Sequence, residues 1–238
     1  MIAKPQQVGA VALPLLKSSV SQKLVVSISG LFLVIFLVVH LSVNLTLLAG
    51  ADTYNSLANW MGSTPPILAM RPVLALGVIA HVLVSAWLWL ANLRVRPERY
   101  DMVDPASGST WASRNMLVLG VVVLLFLVLH VSSFAIPLTF GEPAMVEVKG
   151  ILMKDAYGLV TDRFSIWWYS SIYVVAVVFL GLHLSHGVQS ALQTLGLSDA
   201  LWRRRWTVVG NLYSVIVTVG FAILPVYFLI QALVSSAP

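Results

Sequence analysis

The chain has 238 residues, of which 59% are hydrophobic and only 10% charged, whereas a soluble domain carries roughly a quarter charged residues. This composition excludes a soluble globular domain and predicts a polytopic membrane protein. The absence of cysteine excludes disulfides, thiolate metal sites and iron–sulfur ligation in this chain. The formal net charge of +5 is interpreted as a feature of membrane topology. We expect no nucleic-acid partner, because no basic cluster accompanies a nucleic-acid-binding motif.

Five stretches of the chain are apolar and long enough to cross a hydrocarbon core, which takes about 20 helical residues. The first is too long for a signal peptide and lacks a cleavage pattern, so we expect it to remain as a helix. The segments between the stretches carry turn-forming residues, as in STPP and GEP. The sequence therefore predicts an all-α fold, a five-transmembrane-helix bundle forming a single membrane domain over 1–238. The predicted helices lie near 24–49, 68–93, 115–139, 166–194 and 207–235.

Charged residues are distributed unevenly around these helices. None of the nine Asp and Glu residues lies in a predicted helix core. Of the 14 Lys and Arg residues, all but four fall in the N-terminal segment, the 94–114 loop or the 197–206 loop, which lie on one side. The positive-inside rule therefore predicts a cytoplasmic N-terminus and an outside C-terminus in a cell inner (cytoplasmic) membrane. The four bases on the opposite side are Arg71, Lys149, Lys154 and Arg163.

All five histidines lie in predicted helices. A single histidine inside a membrane can be a helix–helix hydrogen-bonding group, but intramembrane ionisable residues mark functional sites by default. Because the helix cores hold no Cys, Asp or Glu, zinc and di-iron carboxylate sites lack their usual ligands. Paired histidines on haem iron need only imidazoles and room for a flat macrocycle. The five residues are His40, His81, His130, His183 and His186.

Depth in the membrane suggests how four of these histidines pair. At 1.5 Å per residue, His40 and His130 lie about 25 Å from the cytoplasmic ends of their helices. His81 and His183 each lie about 20 Å from that side, with His186 one turn lower. The difference between the levels is smaller than the uncertainty of the helix ends, so depth favours this pairing without proving it. Small residues that could admit a planar ligand, or simply allow close helix packing, are Ser27, Ser29, Gly30, Gly77, Gly120, Gly181 and Gly187.

Four segments carry a resemblance to a known family. They are SISGLFLVIFLVVHLSVNL (27–45), ASRNMLVLGVVVLLFLVLHV (112–131), DAYGLV (155–160) and LGLHLSHGVQSALQTLG (180–196). They are similar to the cytochrome b558 membrane-anchor subunit of succinate dehydrogenases and fumarate reductases, a single chain that holds two haems b. The resemblance extends over essentially the whole chain and includes the number and order of the helices and the placement of the histidines. The segment 180–196 is the most specific of the four.

The resemblance implies an electron-transfer function. His81 and His183 would be the axial ligands of the haem nearer the cytoplasm, and His40 and His130 those of the distal haem. His186 and Arg114 would be neighbours of the haem pockets. The chain would relay electrons between the iron–sulfur subunit of a succinate:quinone oxidoreductase and a membrane quinone, usually menaquinone. The dicarboxylate chemistry would belong to the flavoprotein partner, and this chain would be a subunit of the oxidoreductase complex, which leaves open whether it is an enzyme on its own.

The resemblance leaves the quinone site open. Some relatives have a functional glutamate near the distal haem, and this sequence has no match for it. Asp52, Tyr54 and Asn55 fall nearby and are expected to be outer-loop residues. A proximal quinone site near Ser18, Ser19 and Lys23 is a further possibility. The arginines of 203–205 could pair with propionates or soluble subunits, but membrane anchoring explains them as well.

Two other classes of protein compete with this interpretation. The first is a two-haem anchor of another respiratory complex, of the formate dehydrogenase or nitrate reductase type. The second is a transporter with a histidine-lined path, which predicts paired Gly or Pro interruptions in two halves of the chain. Only Pro225 clearly interrupts a predicted helix core. Both alternatives stay open from the residues alone.

Overall fold

The computed structural model describes residues 18–95 and 110–236. The bases Lys4, Lys17, Arg96 and Arg99 lie outside these residues. The described part is mostly helical and contains five helices long and apolar enough to cross a membrane. This confirms the predicted multi-pass bundle, with helix ends that differ from the prediction by a few residues. The spanning segments are Ser19–Ala49, Pro65–Arg94, Met116–Phe140, Trp167–Thr194 and Leu201–Ser235.

The described helices have the following bounds in chain order: α1 Ser19–Leu45, α2 Ala51–Ser63, α3 Pro65–Val95, α4 Trp111–Arg114, α5 Met116–His130, α6 Ile136–Phe140, α7 Ala156–Phe164, α8 Trp167–Thr194 and α9 Ala200–Ser235. A 3-10 turn, Thr46–Ala49, extends α1, and a π-helical turn, Val131–Ala135, joins α5 to α6. Two short strands, β1 Met145–Val148 and β2 Ile151–Lys154, pair antiparallel. The fold is therefore a helical bundle with one small hairpin that the sequence did not predict.

Helix α8 is central in the bundle. It packs against α9, α1 and α5, whereas the principal partner of α3 is α1. Most side chains of α3 are exposed, and the spanning part of this helix has no buried residue. Because α3 contacts α5 and α8 much less extensively than it contacts α1, the bundle is open between α3 and those two helices.

The close crossing of α8 and α9 depends on a glycine. A Cβ atom at Gly181 would overlap the hydroxyl of Thr218 on α9. The Thr218 hydroxyl donates to the Ser214 carbonyl at 2.8 Å, and the Ser214 hydroxyl donates to the Gly181 carbonyl at 2.6 Å. Small residues at such positions let membrane helices approach closely and form hydrogen bonds across the interface.

We expect Gly181→Ala to destabilise the bundle by about 1–3 kcal/mol, because Thr218 must move and break its hydrogen bond. Gly187→Ala is the matched control on the same helix, since its Cβ would meet only the flexible end of Met116 at 3.6 Å. Alanine there should be neutral or stabilising by up to about 1 kcal/mol, the usual helix-propensity gain. Denaturant unfolding in detergent measures both variants. Equal stability of the two would contradict the close crossing.

The two ends of the bundle differ. We call the end that carries α2, the strand hairpin and α7 the hairpin end, and the opposite end, where α1 begins, the amino-terminal end. A cluster of buried apolar residues lies at the hairpin end. This hairpin-end cluster consists of Leu47, Tyr54, Phe134, Ala156, Val160, Phe164, Tyr169, Tyr173, Leu224 and Phe228.

Two residues with positive φ form the turn between β1 and β2. Lys149 and Gly150 both have positive φ, at 52° and 79°. Two consecutive residues of this kind form the type I′ turn that suits a two-residue hairpin loop. Lys154, at the end of β2, donates from Nζ to the Leu138 carbonyl at 2.6 Å. This bond ties the hairpin to α6 through one of the last carbonyls of that helix, where a cation is favourable.

An amide–carboxylate contact joins α2 to α7. The side chain of Asn55 donates to Asp155 Oδ1 at 2.9 Å and accepts from the backbone N–H of Tyr157 at 2.8 Å. Asp155 caps α7 by accepting from the Gly158 N–H at 2.9 Å. We call these four residues the α2–α7 clasp. It accounts for the DAYG sequence, because a Cβ at Gly158 would overlap the Asp155 carboxylate.

The sequence predicts that Asp52 to Asn55 lie in an outer loop. That prediction is wrong, because these residues are helical. Asp52 lies in the first turn of α2, and Tyr54 and Asn55 are buried on the same helix. Burial raises the pKa of Tyr54 to about 12. An amphipathic helix of 13 residues that rests on the bundle is too polar to register as a span, which is why hydropathy alone missed it.

Candidate haem-binding site

Two pairs of histidine rings meet inside the bundle. The rings of His40 on α1 and His130 on α5 have centroids 5.6 Å apart. The rings of His81 on α3 and His183 on α8 have centroids 6.3 Å apart. We call the first the hairpin-side pair, since His130 also contacts Phe134 and Tyr173 of the hairpin-end cluster. We call the second the inner pair. The structure thus brings together the residues that depth had placed at the same level, each pair linking two different helices.

The inner pair is positioned by α1. The Nδ1 atom of His81 lies 3.2 Å from the Val26 carbonyl and 3.3 Å from the Ser29 hydroxyl. Gly30 allows this approach, because a Cβ at that position would lie only 3.2 Å from Cε1 of His81. A backbone carbonyl on Nδ1 holds an imidazole in the tautomer whose Nε2 is free to bind a metal. Ser29 therefore contacts the His81 imidazole through its hydroxyl, in addition to allowing close helix packing.

The partner residue, His183, has an unsatisfied nitrogen. Its Nδ1 atom is buried and has no hydrogen-bond partner among the described residues. A buried polar atom without a partner costs about 1–3 kcal/mol, so such an atom in a native protein needs an explanation. Gly120 on α5 faces the same ring, with a Cβ position 3.8 Å from Cε1 of His183. Nδ1 of His183 thus differs from Nδ1 of His81, which has two polar neighbours.

The hairpin-side pair is held by polar groups from two helices. The Nδ1 atom of His130 lies 3.4 Å from the Tyr173 hydroxyl. Asn44, one turn beyond His40 on α1, donates to the His40 carbonyl at 2.8 Å and lies 3.4 Å from its Nδ1 atom. The ring of Phe36 stacks on that of His40, with centroids 5.2 Å apart. Both imidazoles are thereby fixed between aromatic and polar neighbours.

A π-helical turn begins directly after His130. In this turn the N–H of Ile136 donates to the Val131 carbonyl, five residues earlier. Pro137 lies just beyond it, has no N–H to donate, and its ring would clash with the carbonyl four residues earlier in a regular helix. The π turn relieves this conflict by widening the helix, and such turns are frequent at functional sites. The proline was the signal in the sequence that could have predicted the turn.

The donor set fits haem better than a bare metal ion. Among the described residues there is no cluster of three or more His, Cys, Asp or Glu that could hold a metal ion. A metal held by protein side chains alone takes three or four of them, whereas haem iron is already bound in the macrocycle plane and takes one or two axial ligands. Each pair supplies two imidazoles, and two imidazoles are sufficient for an axially ligated haem.

The remaining predicted residues lie at the edges of this site. His186 is half-buried on α8, one turn beyond His183. Arg114 is exposed at the end of α4. Ser18, Ser19 and Lys23 are exposed at the amino-terminal end, where the Ser18 hydroxyl caps α1 by accepting from the Ser21 N–H at 3.1 Å. Among the described residues, no hydrogen bond or ring contact joins Ser18, Ser19 or Lys23 to the inner pair. The ligand roles, and the roles of these five residues, stay predictions.

An open, apolar groove lies beside the hairpin-side pair. It has a volume of about 430 Å³ and runs between α5 and α8. Its wall includes Phe126, whose ring contacts both His130 at 5.8 Å and Tyr173 at 4.9 Å between centroids. The lining is apolar apart from the Ser171 hydroxyl. A hydrophobic molecule in this groove would be separated from His130 by a single aromatic ring.

Comparison of the chain with protein-family models, with curated proteins and with solved structures found no match.

Proposed function

We propose that this chain is the di-haem cytochrome b membrane-anchor subunit of a succinate:quinone oxidoreductase, either a succinate dehydrogenase or a fumarate reductase. The observation that carries the proposal is the presence of two separate imidazole pairs, each joining two helices of one bundle. The choice of this complex over other di-haem anchors rests on the sequence resemblance of the segments 27–45, 112–131, 155–160 and 180–196.

The residues of the chain would act as ligands and as positioning groups. His40 with His130, and His81 with His183, would bind one haem b each through Nε2. The Val26 carbonyl and Ser29 would orient His81, and Tyr173 would orient His130. When bound, each haem supplies an iron that accepts and donates one electron. The chain itself sets the distance between the two sites, excludes water from them and tunes their potentials.

The order of the two sites defines a path for electrons. The inner pair lies nearer the amino-terminal end, where Arg203, Arg204 and Arg205 are exposed. We place this end in the cytoplasm, in agreement with the positive-inside rule, and we place the iron–sulfur and flavoprotein subunits there. Electrons would then pass between the iron–sulfur subunit, the inner pair, the hairpin-side pair and a quinone, with menaquinone favoured.

The groove between α5 and α8 is the better-formed candidate for the quinone. It is open and apolar, and it ends one ring away from His130. Ser18, Ser19 and Lys23 are instead exposed at the far end of α1, and the Ser18 hydroxyl is engaged in capping. A lipid-soluble carrier reaches a haem most directly through an apolar opening of this kind.

Purification of the chain from membranes of its own cells tests this proposal. We expect b-type absorption bands, about two haems per chain as inferred from four ligands, and copurification with a flavin-bearing subunit and an iron–sulfur subunit. A preparation without haem bands would refute the haem proposal. A preparation with two haems and a molybdenum subunit would keep the haem sites but assign the chain to a different respiratory complex.

A further inference from the structure

An arginine in the first two turns of α9 is stacked on two tryptophans. The guanidinium of Arg205 lies 4.9 Å from the centroid of the Trp202 ring, and the Trp202 ring stacks on that of Trp206 with centroids 5.4 Å apart. The Nε1 atom of Trp206 donates to the Leu197 carbonyl at 2.7 Å, which ties the rings to the segment between α8 and α9. We call Trp202, Arg205 and Trp206 the α9 stack. It holds one guanidinium in a fixed place.

The guanidinium of Arg205 has no anionic partner within the described part of the chain. Stacking uses the face of the guanidinium and leaves the N–H donors at its edge. The nearest carboxylate in the sequence, that of Asp199, caps α9 instead, by accepting from the N–H groups of Leu201 and Trp202 at 2.9 and 2.8 Å. Among the described residues, no hydrogen bond or ion pair involves the guanidinium groups of 203–205. Because a cation near the amino end of a helix opposes the helix dipole, helix stability does not explain Arg205.

The face of α9 that carries Arg205 is apolar on both sides of this residue. Residues three or four positions apart share a helix face, which places Leu201 before Arg205 and both Val208 and Val209 after it. Their side chains are 80%, 60% and 49% exposed. Since the spanning segment begins at Leu201, this face continues from the α9 stack into the membrane-spanning part of the helix. The partner that fits Arg205 is therefore an anion joined to an apolar body.

The length of α9 places the α9 stack at the membrane surface. The spanning segment Leu201–Ser235 has 35 residues, or about 52 Å of helix at 1.5 Å per residue. The hydrocarbon core is about 30 Å thick, and the bilayer with its headgroups about 40–45 Å. The ends of α9 therefore extend into the headgroup layers. Tryptophan is typical of this layer because of its amphipathic ring, and arginine because anionic lipids attract it.

The amino-terminal end carries the charge that an anionic partner requires. The described residues of this end include one acid, Asp199, and six exposed bases, so its formal net charge is +5. The hairpin half has five acids and four bases, so its formal net charge is −1. The six bases are Lys23, Arg94, Arg114, Arg203, Arg204 and Arg205. Anionic lipids are thus favoured at the end of the bundle where the α9 stack lies.

We propose that Arg205 of the α9 stack binds the phosphate of an anionic membrane phospholipid whose acyl chains lie along the apolar face of α9. The guanidinium donates two parallel N–H bonds to phosphate oxygens, the geometry for which its planar fork is suited. Arg203 and Arg204, on neighbouring faces of the helix, add the positive potential that selects anionic over zwitterionic headgroups. The site is independent of the proposed haem function, because its contacts involve neither imidazole pair.

A competition between two lipids tests this site. The full-length chain, with any subunits that copurify, is placed in nanodiscs that hold phosphatidylglycerol and phosphatidylcholine in equal amounts, and native mass spectrometry counts the lipids that stay bound. We expect the wild type to retain phosphatidylglycerol in preference. Inorganic phosphate added in excess should not displace it, because phosphate lacks the acyl chains. Raising the salt to 1 M, where the Debye length is about 3 Å, should weaken the preference.

Two substitutions separate the geometry of the site from its charge. Arg205→Lys keeps the charge but loses the planar fork, and Trp202→Leu removes the ring under the guanidinium while staying apolar. Each should lower the preference for phosphatidylglycerol by about two- to fivefold, the size of an exposed cation–π contact. Arg204→Lys and Trp111→Leu are the matched controls, because both residues are exposed at the same end and make no described ring contact. They should bind lipid like the wild type.

Three results would overturn the proposal. If Arg205→Lys and Arg204→Lys lower the preference equally, or neither lowers it, the stacked geometry does not bind the lipid. If the wild type retains both lipids equally, the site does not select anionic headgroups. If Arg205→Lys keeps the lipid preference and instead releases copurifying soluble subunits, the partner of Arg205 is an acidic protein surface. Monodisperse elution and an unchanged helical circular dichroism spectrum show that each variant is folded.

Discussion

Alanine in place of any one of His40, His81, His130 or His183 is expected to reduce the haem content from about two per chain to about one. Each of these residues faces one partner in the other helix of its pair. Under the proposed function, loss of either imidazole would leave one haem iron with a single axial ligand, which would remove or severely alter that haem. Haem quantitation and reduced-minus-oxidised spectra on each variant provide the measurement.

Double substitutions test the pairing more sharply than single ones. His40→Ala combined with His130→Ala should lose no more haem than either variant alone, because both residues serve one site. His40→Ala combined with His81→Ala should lose both haems, because the two residues serve different sites. Non-additivity within a pair and additivity between pairs is the pattern expected of residues that act together. A chain in which His40 and His81 behave as one unit would overturn the assignment.

His186→Ala is the control for this series. It lies on the same helix as His183, one turn away, and makes no ring contact with either pair. We expect this variant to keep both haems. His183→Ala itself removes no described hydrogen bond, since Nδ1 has no partner, so haem loss there cannot be attributed to a broken structural bond. If His186→Ala abolishes a haem and His183→Ala does not, the ligand assignment on α8 is wrong.

Hydropathy was sufficient to predict the five spanning helices. Each is an apolar run longer than the membrane requires, and such runs need no knowledge of their neighbours. The pairing of His40 with His130 could also be suggested, because helices that cross the membrane rise about 1.5 Å per residue and so convert sequence position into depth. This reasoning uses only local information, and it succeeds where the membrane imposes a common axis on the helices.

The contacts that the sequence did not predict join side chains that are far apart along the chain. Asn55 meets Asp155, 100 residues further along the chain, and Tyr173 meets His130 across 43 residues. Neither contact produces a periodic pattern of residues in the sequence. The short helices α2 and α7 and the strand hairpin are too polar or too brief to stand out in hydropathy. Their positions follow from packing at the hairpin end, which is a property of the assembled bundle.

Asn55→Ala is expected to destabilise the protein by about 2–4 kcal/mol. The side chain of Asn55 is 1% exposed and fills the space between α2 and α7. Its loss leaves the Tyr157 N–H without its acceptor and removes one donor from the Asp155 carboxylate. A buried donor without a partner costs about 1–3 kcal/mol, and a hydrogen bond to a charged group contributes about 1.5–3 kcal/mol. Thermal and denaturant unfolding in detergent measure the loss.

Asn59→Ala is the matched control for this variant, because it changes the same residue type on the same helix at an exposed position. We expect it to lie within about 0.5 kcal/mol of the wild type. Asn55→Asp adds a second test, since it places a carboxylate beside Asp155. That variant should be destabilised most at neutral pH and recover partly in acid, where one of the two carboxyls takes up a proton. Equal stability of the Asn55 and Asn59 variants would contradict the α2–α7 clasp.

The consequence of the clasp for the hairpin-side pair follows from its position. Tyr54 and Ala156, which neighbour the clasp residues in sequence, belong to the same buried cluster as Phe134 and Tyr173, and these two contact His130. Loosening α2 from α7 should therefore admit water to the His40–His130 level before it affects the His81–His183 level. In the haem-loaded chain, Asn55→Ala should alter the hairpin-side haem signal at a lower temperature than the inner one. Simultaneous loss of both signals would show that the bundle unfolds as one unit.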